Sequence, residues 1–421
     1  METANLDVRE QRGLRIAAMC RIEQKGGVYL VPSQSGKGRY TVCPDPSNPH
    51  CTCPDHETRG GKCKHIFAVE FLIKREKSPD GSEIVTNSVE IKERKTYPQV
   101  WRAYNAAQTN EKAKFQQLLA DLCGTIDEPK REQPKGGRPF LPLGDAIFAA
   151  TFKIYSTVSG RRFMTDLREA KEKGYISRVP HFNSIFNYLQ NPEITPVLRD
   201  LIVMASLPLK EVETVFAADS TGFTTSRFIK WLDHRNGVER RQHEWVKVHI
   251  MCGVKTNVVT AVEIRDKDAS DTKLLPDLVK TTAENFTMEE VCADKGYASI
   301  KNTNTVAAYG AVPYICFKAI HTGKGGGLWA KMYHYFKFKR EEFLKHYHQR
   351  SNVESTFMMI KTKFRDHIRS KTDVAMVNEV LCKLLCHNIC VLIQEMYELG
   401  IEPEFFHEKE SEAPQTFSSD G

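Results

Sequence analysis

Two aspartates follow short apolar runs and could form an acidic site. Asp219 closes the run EVETVFAAD, and Asp294 follows Cys292 and Ala293 in EEVCADKGY. Both runs predict strands that end at the aspartate, and ligand chemistry in an open α/β sheet gathers outside the strand ends. Either residue alone is better explained as a turn-forming aspartate. Two of them on strands that could be neighbours favour a paired carboxylate site.

A third carboxylate lies in a polar stripe on a predicted helix. Within YHQRSNVESTFMMIK, successive gaps of three, four and seven residues separate Tyr347, Arg350, Glu354 and Lys361. At 3.6 residues per turn these side chains share one helix face. The simpler interpretation is a solvated face with ordinary charge pairs. The stripe follows the two aspartates in the chain, and residues 321–371 carry 12 Lys and Arg against 4 Asp and Glu, which favours a site.

Two close pairs of metal-ligating residues lie in the segment CTCPDHETRGGKCKH. Cys51 and Cys53 form the first pair, and Cys63 and His65 form the second. Two such pairs on a turn-rich loop can close a tetrahedral Zn²⁺ site of the Cys₃His type, although a chance spacing is the alternative. Competing ligands are close by in the sequence, namely His50, His56 and Cys43. The alternating segment 28–42 predicts a hairpin before this site, and a helix is expected from Ile66.

The middle of the chain predicts helices that could contact DNA. Segments 78–95 and 127–144 are polar and interrupted by Gly and Pro, which predicts linkers before and after a helix over 98–122. Helices are then expected over 145–155, 161–173 and 181–189, as a helix-turn-helix unit or as an ordinary bundle. In the first case Arg161, Arg162, Arg168 and Lys171 would contact phosphates, and Asn183 and Asn187 would read bases. Residues 130–178 carry 11 Lys and Arg against 5 Asp and Glu.

From residue 211 onward the pattern changes to alternating strands and helices. Segments 244–254 and 257–266 alternate strongly and flank Lys255 and Thr256, which predicts a hairpin. A helix over 271–285, a strand over 289–297, a helix over 298–309 and a strand over 311–318 follow. The hairpin requires antiparallel pairing and the later crossovers require parallel pairing. This is the element order of an RNase H-like α/β domain with a mixed sheet.

The composition is that of a soluble globular chain of two to four domains. The 421 residues carry a net charge of +7, with 41% hydrophobic and 27% charged residues. No run of about 18 apolar residues is present, so no membrane-spanning helix is expected. The N-terminal METANLDVRE lacks the apolar core of a secretory signal, and a disulfide framework is therefore not expected among the 12 cysteines.

These motifs resemble a known enzyme family. The spacing of Tyr347, Arg350, Glu354 and Lys361 is similar to the signature of insertion-sequence transposases of the DDE class. The blocks Asp294-Lys295-Gly296-Tyr297 and Asp219-Ser220-Thr221 resemble that family's second and first aspartate blocks. The likeness covers residues 140–400, and the order Cys-x-Cys then Cys-x-His resembles the SWIM zinc finger.

The resemblance implies a fold, a site and a mechanism. The fold would be RNase H-like, with Asp219, Asp294 and Glu354 as catalytic carboxylates that hold two Mg²⁺ ions, for which Mn²⁺ could substitute. Arg350 and Lys361 would grip phosphates beside the scissile bond, and Tyr347 would hydrogen-bond a phosphate or stack on a base. The interval from Asp294 to Glu354 is too short for the large β-insertion of some relatives. Hairpin-forming and hydrolytic routes both stay open.

The function expected from these features is DNA cleavage at element ends and strand transfer into target DNA. Two alternatives stay open: a transposase-derived DNA-binding protein, and an RNase H-like nuclease without strand transfer. The expected organisation is a zinc module at 1–77, a linker and helical segment at 78–143, a helical region at 144–208, a catalytic domain at 209–400 and an acidic, disordered tail at 401–421. A homodimer or higher multimer on DNA, in a prokaryotic cytoplasm at the nucleoid, is expected.

Overall fold

The computed structural model describes residues 7–34, 38–45, 47–76, 100–129, 140–225, 245–265 and 271–405. The linker predicted at 78–95, most of the one at 127–144, and most of the acidic tail lie outside these ranges. The chain divides into two compact units, residues 1–98 and 99–421. Each unit is described by itself.

The first unit is a small antiparallel sheet with helices. It contains α1 (Val8–Met19), β1 (Glu23–Lys25), β2 (Val28–Pro32), β3 (Arg39–Cys43), β4 (His50–Cys51), α2 (Pro54–Arg59) and α3 (Lys64–Glu76). Strand order is β1-β2-β3-β4, and Tyr29 pairs with Val42, so the predicted hairpin is confirmed. Helices α1 and α3 approach closely at Gly13, where an added Cβ would lie 2.5 Å from Phe67 Cβ.

The second unit begins with five helices. They are α4 (Trp101–Gly124), α5 (Leu143–Ser156), α6 (Gly160–Glu172), α7 (Phe182–Leu189) and α8 (Ile194–Met204). The three helices predicted between residues 145 and 189 are present, and α8 was not predicted as a separate helix. Ser159 caps α6 by accepting a hydrogen bond from the Arg162 backbone N–H. The apolar faces of these helices share one hydrophobic core with the central sheet.

That central sheet has five strands of mixed direction. Strands β5 (Val215–Thr224), β6 (Trp245–Gly253), β7 (Val259–Arg265), β8 (Glu290–Ala293) and β9 (Val312–Ile315) lie in the order β7-β6-β5-β8-β9. Pairs β5–β6 and β6–β7 are antiparallel, whereas β5–β8 and β8–β9 are parallel. The predicted hairpin and crossovers are therefore confirmed, and the sheet is consistent with an RNase H-like catalytic fold.

The first aspartate lies elsewhere in its strand than predicted. Strand β5 does not end at Asp219 but runs on to Thr224, since Asp219 pairs with Ile250 and Thr224 pairs with Trp245 of β6. The polar residues after Asp219 stay in the strand because β6 continues beside them. Asp294, in contrast, directly follows the last residue of β8, as predicted.

Helices cover the sheet and complete the unit. They are α9 (Leu275–Ala283), α10 (Ile300–Ala308), α11 (Gly327–Phe338), α12 (Arg340–Tyr347), α13 (Ser351–Phe364) and α14 (Asp373–Glu398). Pro276 lies in the first turn of α9, where its missing N–H costs nothing. The single helix predicted over 347–361 is wrong: α12 ends at Tyr347, a 3₁₀ turn spans His348–Arg350, and α13 then begins.

Helix α14 connects the helical region to the sheet. It packs against α4, α5 and α8. Its buried Asn388 donates to the carbonyl oxygens of Ile202 and Val259 at 2.9 and 2.7 Å and accepts from the Val259 N–H at 2.8 Å. Helix α14 is long and apolar enough to cross a membrane, yet 89% of its most apolar 18-residue stretch is buried inside the structure. It therefore serves here as a core helix.

Candidate active site and zinc centre

The parallel pairing of β5 and β8 brings the two aspartates to the same place on the sheet. Ala218 pairs with Ala293, so the next residues are Asp219 within β5 and Asp294 directly after β8. The Asp219 side chain is 21% exposed, and its Oδ1 accepts the Ser220 backbone N–H at 2.8 Å. The register thus creates the paired acidic position that the sequence predicts.

Arg350 joins the third carboxylate to the first. Its Nη1 donates to Asp219 Oδ2 at 2.9 Å, and its Nη2 donates to Glu354 Oε1 at 2.7 Å. The guanidinium is only 19% exposed, whereas Glu354, in the first turn of α13, is 58% exposed. Arg350 Nε is buried without a hydrogen-bond partner within the described ranges, so its polar groups are incompletely satisfied here.

Tyr347 contacts the remaining carboxylate, Asp294. Its hydroxyl lies 3.4 Å from Asp294 Oδ1, across the 3₁₀ turn from Glu354. Burial raises the pKa of the Tyr347 hydroxyl, which therefore stays protonated and able to donate. Arg350 thus bridges Asp219 and Glu354, and Tyr347, whose ring centroid lies 5.8 Å from the Arg350 guanidinium carbon, contacts Asp294.

The pKa of Asp219 is raised chiefly by the burial of its carboxyl. The nearby Asp294 and Glu354 raise this pKa further. The Ser220 N–H and the Arg350 guanidinium oppose this shift without cancelling it. A divalent cation would relieve the same repulsion, because it favours the ionised form of every carboxylate around it.

The donor set fits Mg²⁺. Carboxylate oxygens are the hard ligands that this ion prefers, and Asp219, Asp294 and Glu354 supply them from three different elements. The Arg350 guanidinium already provides positive charge between Asp219 and Glu354. A metal ion bound through Asp219 Oδ2 or Glu354 Oε1 would compete with the Arg350 ion pairs.

An open cleft of about 770 Å³ extends from the carboxylates. Asp219 and Glu354 lie in its wall together with Lys361, whose Nζ donates to Thr221 Oγ1 at 2.6 Å. Burial lowers the pKa of Lys361. Asp294, Tyr347 and Arg350 lie beside the cleft but outside its lining.

Sequence reasoning missed one wall of this cleft. Residues 365–367 form it, and the chain there pairs with the end of β5: the Thr224 N–H donates to the Asp366 carbonyl, and the Ile368 N–H donates to the Thr224 carbonyl. The sequence offered only the general basic character of residues 321–371 as a signal. The long-range pairing that brings this segment to β5 has no local signature.

The predicted helical contacts lie on exposed surface. Arg161 and Arg162 are exposed on α6, and the Arg161 guanidinium stacks 5.0 Å from the Phe182 ring centroid. Asn183 and Asn187 are exposed on α7. Their role in DNA binding stays a prediction.

The four predicted zinc ligands converge in the first unit. Cys51 ends β4, Cys53 precedes α2, Cys63 precedes α3, and His65 lies in the first turn of α3. All four are buried, and their ligand atoms lie within 4.8 Å of one another. His65 Nδ1 lies 3.9 and 3.8 Å from the sulfurs of Cys51 and Cys63. A tetrahedral Zn²⁺ holds its ligand atoms about 3.6–3.8 Å apart, so the group is consistent with a zinc site.

The three residues that could compete as ligands, His50, His56 and Cys43, are not part of this buried group. His56 Nδ1 lies 2.9 Å from the Gly61 carbonyl oxygen, and its ring packs edge-on against His50. Cys43 is exposed. A hydrogen bond from Cys51 lowers the pKa of the Cys63 thiol to about 3, so a thiolate is favoured within the group. The thiolate is the form of cysteine that binds metals.

The comparisons with known proteins agree with this geometry. Residues 210–389 match the family described as the transposase DDE domain, and this span includes the three carboxylates, Tyr347, Arg350 and Lys361. No curated protein matches the chain. Residues 210–389 of the second unit are therefore similar to a transposase DDE domain, and the first unit holds a buried Cys₃His group.

Proposed function

We propose that this protein is a transposase that cleaves DNA at the ends of a mobile element and joins them to target DNA. The observation that carries the proposal is the grouping of Asp219 and Glu354 on Arg350, with Asp294 held by the adjacent Tyr347, within residues that match the transposase DDE domain. Three carboxylates from β5, β8 and α13 meet beside an open cleft that a DNA strand can enter.

The three carboxylates would hold two Mg²⁺ ions, or Mn²⁺ in their place. When bound, these ions supply a nucleophilic oxygen at neutral pH and neutralise charge at the reacting phosphate. Asp219 and Asp294 would hold the ions at the sheet. Glu354, which is more exposed, would complete the ligand set from helix α13.

The cationic side chains of the site position the DNA. Lys361 lines the cleft and is oriented by Thr221, so its ammonium can bind a phosphate beside the carboxylates. Arg350 pairs with Asp219 and Glu354 in the free protein. Once those oxygens are otherwise engaged, its planar guanidinium can bind a phosphate bidentately.

The wider organisation is also proposed. The Cys₃His group would bind one structural Zn²⁺ and stabilise the first unit, because so small a sheet has little apolar core of its own. Exposed Arg161 and Arg162 would add phosphate contacts. The protein would act as a multimer on paired DNA ends, at the nucleoid of a prokaryotic cell.

An excision and joining assay tests this function. The substrate is a plasmid that carries the gene with its natural flanking DNA, incubated with the purified protein, Mg²⁺ and a target plasmid. We expect cleaved ends and joined products. Cleavage without joining would favour the nuclease alternative, and binding without cleavage would favour the DNA-binding alternative.

A further inference from the structure

A second, smaller pocket lies next to the catalytic cleft. Its volume is about 30 Å³, and it lies between α5, the end of α13 and α14. A volume of about 10–15 Å³ admits one water molecule, so this pocket has room for one or two oxygen-sized groups. Arg365 and His367 line both the pocket and the cleft, and the two spaces are therefore adjacent.

The charged lining of this pocket is strongly cationic. Four cationic side chains face one carboxylate, and the charged residues are Lys153, Arg365, Arg369, Lys383 and Glu379. The single carboxylate is already engaged by the backbone: it accepts the N–H groups of Arg369 at 3.1 and 3.0 Å and of Ser370 at 2.8 Å.

Lys383 is also fully engaged. Its ammonium donates to the carbonyl oxygens of Arg365 at 3.1 Å and His367 at 2.8 Å, and it lies 3.7 Å from Glu379. These bonds hold the pocket rim in place. Arg365 itself has a φ of 75°, a conformation that a non-glycine residue keeps only when its surroundings enforce it.

Lys153 in contrast is buried without a partner. It is 5% exposed, and within the described part of the chain its ammonium has neither a hydrogen bond nor an ion pair. Its ammonium also makes a distant cation–π contact, 5.9 Å from the Phe163 ring centroid. Burial lowers the pKa of Lys153 to about 8; repulsion from Arg369 and Arg365 adds to this effect, and attraction to Glu379 opposes it. An ammonium on a mostly buried side chain is costly to keep charged without a partner, so an anionic ligand in the pocket would be favoured.

We propose that this pocket is a phosphate-binding subsite, in which Lys153, Arg365 and Arg369 hold one backbone phosphate of the DNA strand in the neighbouring cleft. Lys153 is buried and the two arginines are exposed, so a phosphate oxygen can enter the pocket while the diester stays outside. Arginine forks bind such oxygens bidentately. The assignment of the ligand to DNA rests on the function proposed above.

The experiment measures DNA affinity against salt concentration for the full-length protein and for Lys153→Met. The probe is a short labelled duplex of arbitrary sequence, and the matched control is Lys210→Met, which removes an exposed lysine outside both spaces. We expect Lys153→Met to bind about tenfold more weakly, with the slope of log affinity against log salt reduced by about 0.9, as for one lost phosphate contact. Lys210→Met should match the wild type.

A second variant and a second ligand distinguish the loss of phosphate binding from misfolding of Lys153→Met. Arg369→Gln at the exposed rim should give the same loss as Lys153→Met. Sodium phosphate should raise the unfolding temperature of the wild type above that in sodium chloride of equal ionic strength, and it should not do so for Lys153→Met. Equal salt slopes for both variants and the wild type would overturn the proposal while leaving the transposase function intact. A wild type that binds phosphate but not DNA would overturn the DNA assignment and the proposed function together.

Discussion

At the scale of residues, the site depends on how Arg350 is shared between two carboxylates. Its guanidinium occupies oxygens of Asp219 and Glu354 that a metal ion would need. The sequence stripe placed Arg350 and Glu354 on one face correctly. It could not reveal that Arg350 also reaches Asp219, because that contact depends on the packing of the 3₁₀ turn against β5.

Removing this competitor should strengthen metal binding. We expect Arg350→Gln to bind Mg²⁺ several-fold more tightly than the wild type in the absence of DNA, because two charge-assisted hydrogen bonds no longer have to break. Isothermal titration calorimetry measures this directly. Arg340→Gln, which removes an exposed arginine of the same basic stretch, is the control for net charge. An Mg²⁺ affinity for Arg350→Gln no higher than that of the control would refute the competition.

At the scale of elements, local patterns predicted most strands and helices, and tertiary pairing decided the rest. Alternation identified β6 and β7, and Pro276 did not prevent α9 from forming. The end of β5 was misplaced because Ser220, Thr221 and Gly222 look like a loop, whereas β6 pairs with all three. The turn at His348–Arg350 was missed because the sequence spacing also fits an unbroken helix.

The zinc ligands are an element-scale prediction, since four short elements supply them. We expect Cys51→Ser to lose most of its zinc from about one ion per chain, and to lower the unfolding temperature of the first unit, because the small sheet there needs the metal crosslink. Elemental analysis and a thermal scan measure the two effects. Cys43→Ser is the matched control, since Cys43 is exposed outside the cluster. Undiminished zinc in Cys51→Ser, or zinc loss in Cys43→Ser, would contradict the ligand assignment.

At the scale of the whole molecule, the charges that sum to +7 are unevenly distributed along the chain. Residues 321–371, which carry 12 Lys and Arg against 4 Asp and Glu, contribute Lys361 and Arg365 to the cleft beside its carboxylates, and this excess of positive charge can attract DNA despite the acidic centre. The sequence predicted this concentration of charge. It gave no indication that Lys153 and Arg369, more than 200 residues apart, line one pocket, because α5 meets α14 only in the folded chain.

The most direct test of the account compares metal-dependent DNA cleavage by Asp219→Asn, Asp294→Asn and Glu354→Gln with cleavage by the wild type. Each variant should lose at least about a thousandfold in cleavage rate, since each removes a charged metal ligand, and should keep DNA affinity within about twofold. Glu341→Gln, an exposed residue outside the cleft, should cleave like the wild type. Wild-type cleavage by any of the three carboxylate variants would contradict the assignment of the active site.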